Sequence, residues 1–458
     1  MPGYLHHIQW SVASVRHISH KLRAEYGMRE VAVREEGERR EVVLQSGLVT
    51  FLVSETRDEE VVEGQIGYPW LSSGRRGWQT DCVFNICLEV GDVRQTYQRM
   101  TEAGSLSISP PREISDEDGV VTVAVVSSPC SQVIHSLVNT SRYQGHFLPG
   151  FTGLEAGEDS ERETGDLITH IDHITLVCEA GDSRNILDWY SDTCGMQPFL
   201  LSQEEVPGQG TVFEEVGLKL NVSSWVTEWL CREEGVTWDS SLDNRRNFKL
   251  VLAEPLPGNE ESHVNQFLKD NGGPGVQHIG LATPDITHTV SVLTNNGAEF
   301  RKPPPTYYSL QEKQQEIRSI GRDTETFKQL GILIDKEQSE TRPANTFDSE
   351  EIEQFILQIF SFPLFGAETF FLEIIERKNS RGFGGGNIRA LAQSIILMNE
   401  LTGLREKFES GKMKIQERPN CRRKTVHNCD YNTAWDNFTN NLQAMDDFYG
   451  NRKYQMGR

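Results

Sequence analysis

The feature that most limits how this chain can fold is that it repeats itself. Tyr4-Leu5-His6-His7-Ile8-Gln9-Trp10-Ser11-Val12 resembles His170-Ile171-Asp172-His173-Ile174-Thr175-Leu176-Val177. Cys82-Val83-Phe84-Asn85-Ile86-Cys87-Leu88-Glu89 resembles Gly275-Val276-Gln277-His278-Ile279-Gly280-Leu281-Ala282. A self-similar chain is built from duplicated units that pack on one another. In the second pair a strand-like run leads into a helical one ending near Ala103-Gly104 or Asn296-Gly297, and further strands follow. The expectation is an α+β protein with a first half at 1–152, an acidic linker at 153–166, a second half at 167–410 and a tail at 411–458 to which no role is assigned.

Composition narrows the function classes. At 37 % hydrophobic and 24 % charged, the 458 residues are those of an ordinary soluble globular protein. A formal charge of −22 argues against a nucleic-acid partner, since phosphate binding needs clustered Lys and Arg. A small-molecule substrate is the better default. The 8 cysteines form no CxxC pair, so neither a zinc motif nor a redox motif is signalled, and they read as free intracellular thiols.

Two stretches invite targeting or membrane readings, and for each a place in the fold is the preferred one. Arg16, Lys21 and Arg23 precede the first acidic residue, Glu25, but they fit the first amphipathic helix of the fold. Gln354–Ile375 has the length of a membrane span, yet Gln358, Pro363, Glu368 and Glu373 interrupt it. Two buried strands joined by a turn at Pro363–Gly366 explain it better, so no transmembrane segment is expected. Lys336–Glu351 reads as a polar surface insertion, and the sequons at Asn139, Asn221 and Asn437 mean little without a secretory signal.

Glu373 carries the chemistry. It sits in the apolar run Phe370-Phe371-Leu372-Glu373-Ile374-Ile375 and shares a strand face with Phe371 and Ile375. A carboxylate on such a face needs a cation, either an Arg or Lys or a metal ion. Of the 12 histidines, His173 and His278 each lie on the leading strand of a repeat and face where Glu373 would be. Two imidazoles and a carboxylate are the facial triad of non-haem iron(II) oxygenases. The first half is a control within the chain. His7 matches His173, but Asn85 stands where His278 would be, and the strand around Ile134 has no carboxylate. That half reads as a structural partner. His6, His17, His20, His146, His170, His288 and His427 read as surface or core residues.

Val276-Gln277-His278-Ile279, Pro304-Pro305-Thr306-Tyr307-Tyr308, Leu357-Gln358-Ile359-Phe360, Phe371–Arg377 and Gly382-Phe383-Gly384-Gly385-Gly386-Asn387 together resemble the 4-hydroxyphenylpyruvate dioxygenase family, over about residues 4–405. The resemblance implies the vicinal oxygen chelate fold, with duplicated βαβββ modules forming two half-barrel domains and Fe(II) in the second half alone, on His173, His278 and Glu373. It further implies that Gln277 and Gln358 lie near the substrate's 2-oxo acid and ring. Phe360, Phe371 and Phe383 would line the aromatic cavity, and a helix from Asn387 would close over the iron. The partners it implies are a 2-oxo acid and O₂, and a homodimer is compatible with it.

Three positions depart from the dioxygenase pattern. Ala253 replaces an Asn, and His263 replaces a Gln and could donate to a phenol. Ile388 stands where dioxygenases carry Phe, and in this it resembles the hydroxymandelate synthases. The expectation is therefore 4-hydroxymandelate from 4-hydroxyphenylpyruvate, with homogentisate as the alternative product and a non-catalytic scaffold as the alternative class. The implied role is supply of the ubiquinone head group at mitochondria, or otherwise an enzyme of the cytoplasm.

Overall fold

Each repeat folds in two steps. In the computed structural model the first half opens with β1 (Tyr4–Val12), α1 (Val15–Ala24), β2 (Arg29–Glu36), β3 (Arg39–Ser46) and β4 (Val49–Glu55). It continues with β5 (Cys82–Glu89), α2 (Val93–Glu102), β6 (Ser107–Asp116), β7 (Gly119–Ser127), β8 (Ile134–Tyr143) and the short β9 (Thr152–Gly153). The second half has β10 (His170–Val177), α3 (Ser183–Cys194), β11 (Gln197–Pro198), β12 (Thr211–Phe213), β13 (Leu218–Ser224) and β14 (Lys249–Pro255). After α4 (His263–Asn271) come β15 (Gly275–Ala282), α5 (Ile286–Asn295), β16 (Phe300–Arg301), β17 (Leu333–Lys336), β18 (Phe355–Ser361) and β19 (Phe371–Lys378). The structure describes residues 4–36, 39–55, 81–154, 167–198, 209–224, 249–259, 262–336, 353–365, 369–380 and 382–395. The tail, nearly all of the acidic linker and the insertion after Lys336 lie outside them.

The pairing follows one rule four times. The leading strand of each module pairs in parallel with its last: β1 with β4, β5 with β8, β10 with β14 and β15 with β19. Leading strands then pair antiparallel, β1 with β5 and β10 with β15. The result is one sheet ordered β6-β7-β8-β5-β1-β4-β3-β2-β9 and another ordered β11-β13-β14-β10-β15-β19-β18-β16. These are the duplicated βαβββ modules of an α+β fold, each sheet curled into a half-barrel.

Local chemistry agrees with this arrangement. Helix starts carry side-chain caps at matching places: Asp92 Oδ1 accepts from Gln95 N at 2.9 Å, and Asp285 Oδ1 from His288 N at 3.0 Å. Helix α1 buries Val15, Ile18 and Leu22, which leaves Arg16 and Arg23 on its outer face. The run from Phe355 to Lys378 is two strands, as its interruptions predict, and among the described residues no helix is long and apolar enough to cross a membrane. Trp10 is fully buried against Phe51 and Phe370, with ring centroids 4.8 and 4.9 Å away. That contact welds the first sheet to the second.

The chain divides into two compact units, Met1–Arg301 with Gln358–Arg377, and Lys302–Leu357 with Lys378–Arg458. Within the second, a 3₁₀ turn (Pro305–Ser309) precedes α6 (Gln311–Ser319) and α7 (Thr324–Leu330), and residues 385–395 are helical. Gly386 N donates to Asp335 Oδ2 at 2.8 Å, and a Cβ there would stand 2.3 Å from that carboxylate. Only glycine lets the helix start approach Asp335 so closely.

Candidate metal centre

Register assembles the site. His173 on β10 pairs with Gly280 on β15, and Gly280 pairs with Glu373 on β19. The row His173–Gly280–Glu373 therefore runs straight across three strands. His278 lies in the neighbouring row, between Thr175 and Phe371. Same-face neighbours across strands lie about 5 Å apart, close enough for long side chains to converge. Here they do: His173 Nε2 is 3.2 Å from Glu373 Oε2, His278 Nε2 is 3.5 Å from it, and the two nitrogens are 3.4 Å apart. Gly280 makes the room, because a Cβ at that position would stand 2.3 Å from His173 Cε1.

The donor set fits a metal ion. Atoms this far apart are spaced as ligands of one ion at about 2.0–2.2 Å would be. Both rings are held through Nδ1. His173 Nδ1–H donates to Asp172 Oδ1 at 2.9 Å, and His278 Nδ1–H to Gln277 Oε1 at 3.2 Å, so Nε2 is the nitrogen each ring turns inward, and in His278 it carries a lone pair. The Thr175 hydroxyl, 2.9 Å from His278 Nε2, marks that lone pair in the metal-free geometry. Glu373 Oε1 accepts from Gln358 Nε2 at 2.8 Å, which turns Oε2 toward the histidines. Among the described residues the ionisable groups against Glu373 are His173 and His278, and no Arg or Lys. Two imidazoles, one carboxylate and an open side are a ferrous-iron donor set.

A buried cluster stands behind the histidines. A register slip between Ile171 and His173 brings Asp172 to the same side as its neighbour. Asp172 also accepts from Arg377 Nη2 at 2.8 Å and Nε at 2.9 Å, with Lys249 Nζ at 3.5 Å. Burial opposes its charge, but Arg377, Lys249 and the His173 N–H outweigh it and hold the carboxyl well below the usual range. For His173, burial acts against the cation while Glu373 and Asp172 favour it, and its pKa rises. Burial, then His173 and His263, push His278 well below the usual histidine value. Asp172, Gly280, Arg377 and Lys249 were not identified from sequence. A carboxylate directly before a ligand in an apolar strand was the available signal for Asp172.

The remaining predicted residues divide between the two units. In the first, Phe371 stacks on His278 at 4.8 Å and 17°, and Phe360 meets Phe371 edge-on at 5.9 Å. Both are half-buried, and His278 is the most exposed of the triad. Gln277 is buried against His278. His263 opens α4 with its ring exposed, although protein crowds it enough for burial and then Arg301 to lower its pKa. In the second unit Phe383 is buried, Ile388 half-buried, and Asn387 Oδ1 accepts from Tyr307 OH at 2.7 Å.

The chain is similar to known proteins. Residues 172–310 match the Glyoxalase/Bleomycin resistance protein/Dioxygenase superfamily. The chain is 34 % identical over 394 residues to the 4-hydroxyphenylpyruvate dioxygenase-like protein of Rattus norvegicus, covering 85 % of this chain and 95 % of that one. It is 31 % identical over 326 residues to the 4-hydroxyphenylpyruvate dioxygenase of Dictyostelium discoideum, covering 70 % and 79 %. Its fold is similar to that of a mutant 4-hydroxymandelate synthase from Streptomyces coelicolor, with a TM-score of 0.62 at 23 % identity over 86 % of this chain and 98 % of that one. With the module pattern and the converging donor atoms, these similarities show that the chain belongs to the 4-hydroxyphenylpyruvate dioxygenase family.

Proposed function

We propose that this protein is an Fe(II)-dependent oxygenase that converts 4-hydroxyphenylpyruvate and O₂ to 4-hydroxymandelate and CO₂. The observation that carries the reading is the convergence of His173 Nε2, His278 Nε2 and Glu373 Oε2 beside the half-buried rings of Phe360 and Phe371. Those three atoms would hold the iron, which when bound supplies a chelation point for a 2-oxo acid and electrons for O₂. The reaction balances. The C1 carboxyl leaves as CO₂, one oxygen atom completes a new carboxyl at C2, and the other enters the benzylic C–H bond as hydroxyl.

The protein's own share is orientation. Phe360 and Phe371 offer aromatic surface to a phenyl ring, since offset and edge-on ring pairs are favourable. His263 would donate to the phenol, and Gln277 and Gln358, bonded to His278 and Glu373, would keep those two side chains in their ligating orientations. Phe383, Asn387 and Ile388 are assigned to the ring and the choice of carbon by the sequence reading. A shift of about an ångström decides which carbon is attacked, and an Ile in place of Phe favours the benzylic one. The product would supply the ubiquinone head group, at mitochondria.

The relatives named as 4-hydroxyphenylpyruvate dioxygenases support a second reading, with homogentisate as product. Incubating the full chain with Fe(II), ascorbate, O₂ and 4-hydroxyphenylpyruvate, and separating the isomeric products, distinguishes the two. We expect 4-hydroxymandelate. Homogentisate as the sole product would overturn the assignment of product but not that of class, and no turnover by iron-loaded protein would overturn both.

A further inference from the structure

The first sheet holds a second cluster of ligand-type side chains. The register of β1 on β5 slips between Leu5 and His7, at the place where β10 slips before His173. Such a bulge turns two consecutive side chains to one side of the sheet. His6 and His7 accordingly meet, with Nδ1 to Nδ1 at 2.7 Å. The residue that faces His7 across the strands is Cys87, in the row position that Gly280 fills beside His173. One nitrogen of each ring and the Cys87 Sγ all lie within 4.8 Å of one another. His7 Nε2 is buried with no hydrogen-bond partner among the described residues, in a residue only 1 % exposed. An unsatisfied buried nitrogen beside a thiol and a second imidazole is costly unless something binds there.

We infer that His6, His7 and Cys87 form a zinc site in the first sheet, separate from the iron centre. Two imidazoles and one thiolate are a zinc donor set, with the fourth position left to solvent. His6 is half-buried and gives that position its access, while Phe147, 5.0 Å from His7 and 5.5 Å from His6, walls the other side. Zinc uptake would form a Zn–S bond at Cys87 and release the thiol proton to solvent. The ion would clamp β1 to β5 at their bulge.

The iron centre contains no sulfur, which makes the two sites spectroscopically distinct. Full-length, iron-loaded protein should take up one further equivalent of Zn(II). Co(II) in its place should give a thiolate-to-cobalt charge-transfer band. Cys87→Ser should abolish the band, and Glu373→Ala should leave it intact. His6→Asn, at a half-buried position that tolerates change, should weaken uptake by at least about tenfold. The inference is overturned if no second equivalent binds, if the band survives Cys87→Ser, or if Glu373→Ala removes it.

Discussion

The two sheets place equivalent rows of residues across three strands and use them in opposite ways. In the second sheet the row is His173–Gly280–Glu373. In the first it begins with His7 and Cys87, and the β5–β8 register puts Ser136 next. Around that row the first sheet closes its polar groups on one another. Asn85 Nδ2 donates to Gln9 Oε1 at 3.0 Å and Ser136 Oγ at 2.8 Å, and its Oδ1 accepts from Ser136 N at 3.0 Å. Gln9 Nε2 continues to Ser54 Oγ at 2.9 Å, and Ser54 to Glu41 Oε1 at 3.0 Å. Arg34 neutralises Glu41. In the second sheet the carboxylate has no Arg or Lys partner among the described residues, and Oε2 faces two imidazole nitrogens instead. The scaffold is shared. What sets the second half apart is a buried carboxylate beside two imidazoles, a charge that an ion would satisfy.

Removing that charge should break the comparison outright. Glu373→Ala should reduce bound iron from one equivalent to background and abolish turnover, as read by metal analysis and oxygen consumption. Gly280→Ala comes next. Its Cβ would collide with the His173 ring at 2.3 Å, so iron affinity should fall by more than about tenfold, with a stability loss of about 1–3 kcal/mol from overpacking. Unchanged iron affinity there would mean that the ring can lie elsewhere.

Asp172→Asn keeps the shape but weakens the hold on the His173 N–H and on Arg377. We expect iron affinity to drop by about 10–100-fold in chelator competition. Asn85→Ala sharpens the contrast from the other side. It should cost about 1–3 kcal/mol in denaturant unfolding, by stranding Gln9 and Ser136, while iron content stays at the wild-type level.

The smallest effect concerns pH. His135 is fully buried, with Nδ1–H donating to Ile86 O at 3.0 Å and Nε2 accepting from Tyr190 OH at 2.8 Å. Burial lowers its pKa from 6.5 to about 4. The folded state resists a proton that the unfolded chain accepts, so stability is complete above about pH 6.5 and is lost as pH falls toward 4. Its share should reach at most about 2 kcal/mol near pH 5. His135→Gln, which cannot titrate, should show a correspondingly flatter profile, and an identical profile would contradict the assignment.

Much of this architecture is legible in the chain. The two strands that replace an apparent membrane span were signalled by Pro363 and by charges inside the run, and the helix ending near Asn296-Gly297 by the repeat. Glu373 announced itself as a carboxylate with no local partner, and the duplication supplied the histidines to set beside it. The supporting residues were not legible in the same way. Gln358 binds Glu373 through a neighbouring strand, and Arg377 reaches Asp172 across 205 positions of chain.

Sequence by itself determined the modules, the leading strands and the chemical types of the ligands, because alternation, caps and side-chain identity are local properties. Only the tertiary structure decided that three atoms meet. Their convergence depends on a strand register that no single segment encodes, on a slip that swings Asp172 beside His173, and on a missing Cβ at Gly280. Each of those is a relation between strands, and relations between strands exist only once the sheet has formed.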